Sequence, residues 1–243
     1  MLAGSAGALS LATLACSPAA EPAPAPPAGA SGVRVRWWGN NAWEITFGDI
    51  TLLIDPWVTR FHTGTYTPAG ADPNTPLSWN PGLIRECFPR ADLVLLTHGH
   101  YDHITDVPYV ATHTGATVLG TETHLNLLRA MRATDGTQAP PDQLATVCGG
   151  ELIQFPGYTV QVLRSLHSAL GPRRKVPFPG TRPGAPPPAV RTVSDLVEGG
   201  TLAYLINIGG RLRILALGTA NYIAEELTGL RPDLVFVPTG GDS

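Results

Sequence analysis

Residues 97–103 read THGHYDH, so three histidines and one aspartate fall within seven positions. They directly follow the apolar run at residues 91–96, which predicts a buried strand. In α/β proteins, functional side chains commonly lie at the carboxyl ends of such strands. Neutral imidazole is the commonest metal ligand, and a carboxylate beside several histidines is typical of a hydrolytic zinc site. The segment therefore predicts a metallohydrolase.

The spacing within this segment allows its side chains to meet at one ion. Residues two apart in an extended or turning backbone point the same way, so His98 and His100 are placed to approach zinc at roughly 2.0 to 2.1 Å. Asp102 and His103 precede a helix predicted from about Ile104. Asp102 is expected to cap that helix and to turn toward a second metal or a bound water. The alternative is a histidine-rich surface loop in which Asp102 is only an N-cap.

The string HGHYDH resembles the HxHxDH signature of the metallo-β-lactamase superfamily, and the flanking sequence is similar as well. Residues 38–43 (WGNNAW) and 50–56 (ITLLIDP) resemble the opening hairpin and turn of that family. Residues 165–168 (SLHS) resemble the segment that carries its third histidine. Residues 200–204 (GTLAY) and 213–222 (RILALGTANY) resemble the late strands of one hydrolase subgroup. That subgroup includes the ascorbate-phosphate lactonase and the phospholipase D acting on N-acyl ethanolamines.

The resemblance implies two metal positions and covers nearly all of the chain after residue 32. His98, His100 and His167 would hold the first ion, and Asp102 with His103 would hold the second. Asp102 would also act in catalysis, by orienting the attacking water or by taking its proton. Zinc is the implied metal, because the di-iron branch of the family carries Glu where this chain has His100.

Two departures from the family pattern concern the second metal. Thr219 follows Gly218 where the family places a metal-bridging aspartate, and a hydroxyl is a far weaker ligand than a carboxylate. The family also uses a histidine near the carboxyl terminus, but this sequence has none after His167. These departures are expected of a truncated chain or of a reduced site. We therefore expect one well-formed Zn²⁺ site and a second that is weak or empty.

Hydrophobic periodicity predicts a mixed α/β fold. Strands are predicted at residues 33–37, 43–47, 50–54, 91–96, 158–163, 202–208, 212–217 and 234–237, and helices at about 104–111, 122–132 and 222–230. Strands outnumber helices and the two alternate irregularly. This pattern suits an αββα sandwich of the metallo-β-lactamase type, formed by residues 33–243 with the site at one edge of the sheets.

Composition limits the partners and suggests export. The net charge is −3, so nucleic acid is not the favoured partner, and 43% hydrophobic residues suffice for one full core. Residues 1–32 predict an export signal or lipoprotein-like segment followed by an Ala/Pro-rich tether. Leu14-Ala15-Cys16 resembles a bacterial lipoprotein cleavage site, which implies a membrane tether through Cys16 and a periplasmic or membrane-anchored protein. Against this, no Lys or Arg precedes Arg34; a disordered Ala-rich extension is the alternative.

Three further features leave alternatives open. Asp55 either forms a turn before Pro56 or accepts a hydrogen bond from a ligating imidazole. The aromatic insertion at residues 57–81 either lines the substrate cleft or covers a sheet edge. The Pro-rich stretch at residues 171–188, with its cluster of cations, either holds an anionic substrate group or is a solvated loop.

The favoured function is metal-assisted hydrolysis of an ester, lactone or phosphodiester-type bond. Its substrate would be a small or lipid-like molecule, and zinc would activate the attacking water. One alternative is a metal-binding protein of the same fold with little or no catalytic activity. The other is a mononuclear iron dioxygenase of the superfamily.

Overall fold

The computed structural model describes residues 32–64 and 70–239. The predicted export segment and tether therefore lies outside the described residues except for Gly32, and so does Cys16. None of the helices in the described part of the chain is long and apolar enough to cross a membrane. Of the remaining cysteines, Cys87 is buried and Cys148 is exposed.

Two β-sheets form the centre of the fold. The first contains six strands in sequence order: β1 (Arg34–Gly39), β2 (Ala42–Phe47), β3 (Ile50–Ile54), β4 (Leu93–Leu95), β5 (Thr117–Gly120) and β6 (Leu144–Thr146). Strands β1 to β3 are antiparallel, whereas β3 to β6 run parallel. The second contains five: β7 (Leu152–Phe155), β8 (Tyr158–Arg164), β9 (Leu202–Ile208), β10 (Leu212–Ala216) and β11 (Leu234–Phe236). Their spatial order is β11-β10-β9-β8-β7, and only β11 pairs in parallel.

The α-helices are short: α1 (Pro81–Cys87), α2 (Tyr101–Ile104), α3 (Val107–Thr114), α4 (Glu122–Ala130) and α5 (Ala224–Leu227). The helix expected at 104–111 is divided into α2 and α3, with Pro108 in the first turn of α3, where its missing N–H is harmless. Helix α1 was not predicted, although Asn80 caps it by accepting from Leu83 N. Seven residues are too few for a helical period to stand out from an irregular insertion.

The side chains sort into three apolar layers, because alternate residues of a strand face opposite sides. Leu52 and Ile54 of β3 pack between the sheets, together with Ile206 of β9. Leu53 faces the other way, into a cluster with the side chains of α1, α3 and α4. The outer face of the second sheet packs against Leu227 at the end of α5. Helices thus cover both sheets, which confirms the predicted αββα sandwich.

Candidate metal centre

Backbone hydrogen bonds join the two loops that carry the histidines. The first loop follows β4, and its Thr97 O accepts from Leu202 N at 2.7 Å. The second follows β8, and its Ser165 N donates to Thr201 O at 2.9 Å. Because Thr201 and Leu202 are adjacent, the start of β9 holds both loops. These bonds bring together histidines that are more than sixty residues apart in the sequence.

His98, His100 and His167 converge at this edge of the sheets. Their potential ligand atoms all lie within 4.8 Å of one another. The ring centroids of His98 and His100 are 4.8 Å apart, and each lies 4.7 Å from that of His167. Within residues 32–64 and 70–239, this is the one cluster of three or more such side chains at metal-binding spacing. The arrangement is compact enough for a single ion to bind all three rings.

Hydrogen bonds determine which nitrogen each ring presents. His167 Nδ1 lies 2.7 Å from Ser168 O, and since a carbonyl only accepts, Nδ1 carries the hydrogen and Nε2 is left bare. The Thr97 hydroxyl donates to a buried carboxylate, so it accepts from His98 Nδ1 at 3.1 Å. The Nε2 of His100 is buried and has no hydrogen-bond partner among the described residues. Metal-binding histidines commonly donate through their other nitrogen in this way, so the donor set fits Zn²⁺.

Burial keeps these rings neutral. It holds the pKa of His98 well below its usual range, with repulsion from His103 and His100 adding to the effect. Burial likewise lowers the pKa of His100 to about 4, with His167 acting in the same direction. The pKa of His167 is lowered as well, mainly by burial. A neutral imidazole has the lone pair that a metal needs, so the cluster is ready to ligate at neutral pH.

Asp55 is the buried carboxylate behind the cluster, and it is fully inaccessible. It accepts from Asn41 Nδ2 at 2.7 Å, from Thr97 N at 2.8 Å and from Thr97 Oγ1 at 2.5 Å. Its Oδ2 also lies 2.7 Å from His103 Nδ1. Asp55 therefore accepts a hydrogen bond from the imidazole of His103, and its positive φ of 42° also places it in the turn before Pro56.

Asp102 and His103 lie beside the three-histidine cluster but are not part of it. The expectation that Asp102 caps the helix is wrong: α2 begins at Tyr101, His100 occupies the N-cap, and Asp102 lies in the first turn. The Asp102 carboxylate instead accepts from Asn40 Nδ2 at 3.3 Å and lies 3.6 Å from His103 Nε2. Burial acts to lower the pKa of His103, but Asp102 and then Asp55 outweigh it and raise the pKa.

Thr219 occupies a buried position next to the second loop. Its hydroxyl donates to Leu166 O at 2.8 Å and accepts from Asn221 N at 3.2 Å. The preceding Gly218 packs so closely on Thr97 that a Cβ there would lie 2.5 Å from the Thr97 Cβ. Thr219 therefore fastens the loop that carries the third histidine, and its hydroxyl proton is used in doing so.

Two residues outside the predicted site, Glu198 and His124, connect the pieces of the centre. Glu198 O accepts from Gly99 N at 2.9 Å, between the first two histidines, and Glu198 N donates to Phe178 O at 2.9 Å. His124 lies on α4, is fully buried, and has its Nε2 3.2 Å from Glu198 O. Its Nδ1 accepts from Thr121 N at 3.1 Å, so the hydrogen is on Nε2 and is donated to Glu198. The local pattern around His124 is that of an ordinary amphipathic helix.

The described residues of the aromatic insertion, 57–64 and 70–81, pack behind α2. Trp57 and Phe61 contact the ring of Tyr101, with centroids 5.7 and 6.0 Å away, and Trp79 Nε1 donates to Thr105 O at 2.7 Å. These contacts favour the covering role over the role of a substrate wall.

Comparison with known proteins gives a consistent result. The family model described as "Beta-lactamase superfamily domain" matches residues 34–243. A protein named "UPF0173 metal-dependent hydrolase" from Polynucleobacter asymbioticus is 27% identical over 229 residues, which are 90% of this chain and 68% of that protein. One of the same name from Myxococcus xanthus is 28% identical over 213 residues, 86% of this chain and 61% of its own length. A third, from an Anaeromyxobacter species, is 32% identical but matches only 59% of this chain and 46% of its own. The chain thus spans between about half and two thirds of these relatives.

Solved structures are similar at a lower level. A metallo hydrolase from the archaeon Ignicoccus hospitalis has a TM-score of 0.45 at 19% identity, covering 77% of this chain and 60% of that one. A metallo-β-lactamase from Cronobacter sakazakii has a TM-score of 0.45 at 12% identity, covering 81% and 66% respectively.

Proposed function

The chain belongs to the metallo-β-lactamase superfamily, and from that premise we propose that it is a metal-dependent hydrolase. The observation that carries the proposal is the convergence of three neutral imidazoles, within 4.8 Å of one another, each held so that a ring nitrogen remains available. The relatives named metal-dependent hydrolases support the same function.

Zn²⁺ is the metal that best suits three imidazole ligands with one position open, and when bound it would lower the pKa of water toward about 7 and polarise a substrate carbonyl or phosphoryl oxygen. His98, His100 and His167 would hold it. Asp55 holds Thr97, and Thr97 in turn keeps His98 in orientation, through the hydrogen bonds already described.

Asp102 is the group on this chain best placed to handle a proton. Its side chain remains about one quarter exposed, whereas the neighbouring His103 is almost fully buried. The carboxylate can orient an attacking water or accept its proton, while His103 Nε2 faces Asp102 Oδ2 across 3.6 Å. A second ion between Asp102 and His103 would be weakly held, because Thr219 supplies no carboxylate to bridge it.

For the substrate we propose an ester, lactone or phosphodiester-type bond in a small or lipid-like molecule. This follows from the resemblance of residues 200–204 and 213–222 to the lactonase and phospholipase D subgroup. The matched relatives are named only as metal-dependent hydrolases, and activity screening decides which type of bond is cleaved.

The test is metal content together with hydrolysis, measured on the purified full chain. We expect one equivalent of zinc by mass spectrometry of metals, and hydrolysis of at least one phosphodiester, lactone or ester probe. His98→Ala should lose both zinc and activity, whereas the exposed His62→Ala should keep both. Full hydrolysis by metal-free protein would overturn the mechanism.

The same measurements separate the alternatives. Zinc without any hydrolysis favours a binding protein of this fold, and iron with oxygen consumption favours the dioxygenase. Two equivalents of zinc would show that Asp102 and His103 bind an ion without help from Thr219.

A further inference from the structure

An eleven-residue segment leaves the metal centre at one ligand and returns to it at another. Its first residue, Ser168, accepts a hydrogen bond from His167 Nδ1 at 2.7 Å. Its far end reaches Phe178, whose ring centroid lies 6.1 Å from that of His100 in an edge-to-face contact. We call residues 168–178 the strap. Both of its ends are therefore fixed to the histidine cluster.

The strap is folded back on itself, so its tip is a defined turn. Leu170 N donates to Lys175 O at 2.9 Å and Lys175 N donates to Leu170 O at 3.1 Å. Within the turn, Arg174 N donates to Gly171 O at 3.0 Å, and Arg174 has a positive φ of 47°. These backbone hydrogen bonds form the turn without using its side chains, so the side chains are available to bind other groups.

Three consecutive cations occupy this turn: Arg173, Arg174 and Lys175. All three are exposed, and none forms an ion pair with any described residue. In a chain of net charge −3, three adjacent cations form a local excess of positive charge. Adjacent like charges repel one another, and a bound anion would relieve that repulsion.

The turn lies within reach of a substrate at the metal centre. Phe178 lies three positions after Lys175, so their backbones are at most about 11 Å apart, and a cationic side chain extends several ångströms further. A molecule with its scissile bond at the histidines therefore has room for a second group at the turn. Arg side chains bind carboxylate and phosphate through paired hydrogen bonds, and Lys binds them as a point charge.

We propose that the turn of the strap selects substrates that carry a carboxylate or phosphate group at a distance from the bond that is cleaved. The proposal rests on the hydrolase function above and specifies the substrate class of that same site. It assigns Arg173, Arg174 and Lys175 to substrate binding and leaves the chemistry to the metal centre.

The test compares two probes with the same three-carbon chain, which differ only in that one of them carries a second carboxylate at the far end. Glutarate has a carboxylate at each end, whereas butyrate has one, so each can place a carboxylate at the metal but only glutarate can also reach the turn. We expect the zinc-loaded full chain to bind glutarate about tenfold more tightly than butyrate in calorimetry at low salt. The preference should decline as salt rises, because exposed charges are screened.

The variants then locate the effect. Replacing Arg173, Arg174 and Lys175 together by alanine should abolish the preference without changing zinc content or butyrate binding. The matched control replaces Arg34, Arg211 and Arg231, which are exposed at the opposite end of the sheets, and should keep the preference. Equal binding of the two probes by the unmodified chain, or a preference that survives the strap variant, would overturn the proposal.

A second measurement distinguishes failure of this proposal from failure of the proposed function. The nitrophenyl monoester of glutarate and nitrophenyl butyrate are offered as substrates. Hydrolysis of both esters at equal kcat/KM would support the hydrolase function and overturn the proposed selectivity. A binding preference for glutarate with no hydrolysis of either ester supports the anion site and counts against the esterase activity.

Discussion

Asp55 Oδ2 lies 2.7 Å from His103 Nδ1, and both side chains are buried from solvent. Replacing Asp55 by Asn would place an NH2 group against at least one of the groups that now donate a hydrogen bond to the carboxylate. We expect Asp55→Asn to lower the free energy of unfolding by about 3 kcal/mol and to weaken zinc binding by about 10- to 100-fold. Urea unfolding and chelator competition measure the two effects.

The control for this variant is Asp92→Asn, since Asp92 is exposed and accepts one backbone hydrogen bond, from Thr51 N at 2.7 Å. It should change stability by no more than about 0.5 kcal/mol. If both variants bind zinc like the unmodified chain, Asp55 does not orient the ligands.

His124→Gln separates two roles of one side chain. Glutamine is a regular partner in a helix capping box, so it should keep the bond to Thr121 N while losing the one to Glu198 O. We expect the helix to stay intact and zinc affinity to fall by about tenfold. His124→Ala loses both bonds and should cost about 1 kcal/mol more in thermal unfolding. Unchanged zinc affinity in His124→Gln would contradict the positioning role.

Gly218→Ala tests the contact between β10 and the first histidine loop. The added Cβ would lie 2.5 Å from the Cβ and 2.6 Å from the Oγ1 of Thr97, so one of the two loops must move. We expect a loss of about 1 to 3 kcal/mol in urea unfolding together with weaker metal binding. Gly82→Ala, whose Cβ would have only an ordinary contact at 3.6 Å inside α1, should be neutral or slightly stabilising. Equal losses for both variants would refute the steric explanation.

Asp106 should make stability depend on pH. It accepts from Val58 N, Thr59 N and Thr59 Oγ1, yet burial raises its pKa from 3.8 to about 6. Between these values the folded chain holds a proton that the unfolded chain has released, so the free energy of unfolding falls as pH rises. The full fall is about 3 kcal/mol and is complete above pH 6.

Asp106→Asn removes that titration while keeping an oxygen for the two backbone donors. Unfolding in urea at pH 4, 5, 6 and 7 should therefore show the unmodified chain losing stability relative to the variant over this range. A constant difference between the two would mean that Asp106 does not titrate in that window.

The sequence predicted an element or a ligand correctly where the residue types and the hydrophobic period indicated the same structure. The apolar run before His98 and the offsets of His98 and His100 predicted a strand followed by two adjacent ligands. His167 could be added only through the resemblance, because one histidine after a strand has no distinctive spacing.

Backbone geometry accounts for what could not be predicted. Glu198 contacts Gly99 and Phe178 through its backbone carbonyl and N–H, which all residues except proline possess, so these contacts do not mark the position by residue type. Asp102 was expected at the helix N-cap because Asp favours that position, but α2 begins earlier, at Tyr101. Its carboxylate is held by Asn40, a contact across 62 positions that local rules do not contain.

The three histidines lie on loops that the packed sheets hold through backbone bonds of Thr97, Thr201 and Leu202. A zinc finger differs, because its ligands are dispersed until metal arrives and folding and loading are one event. Here the apolar clusters on the two faces of the first sheet provide the folding energy of the scaffold. A chelator should therefore strip the centre without unfolding the chain.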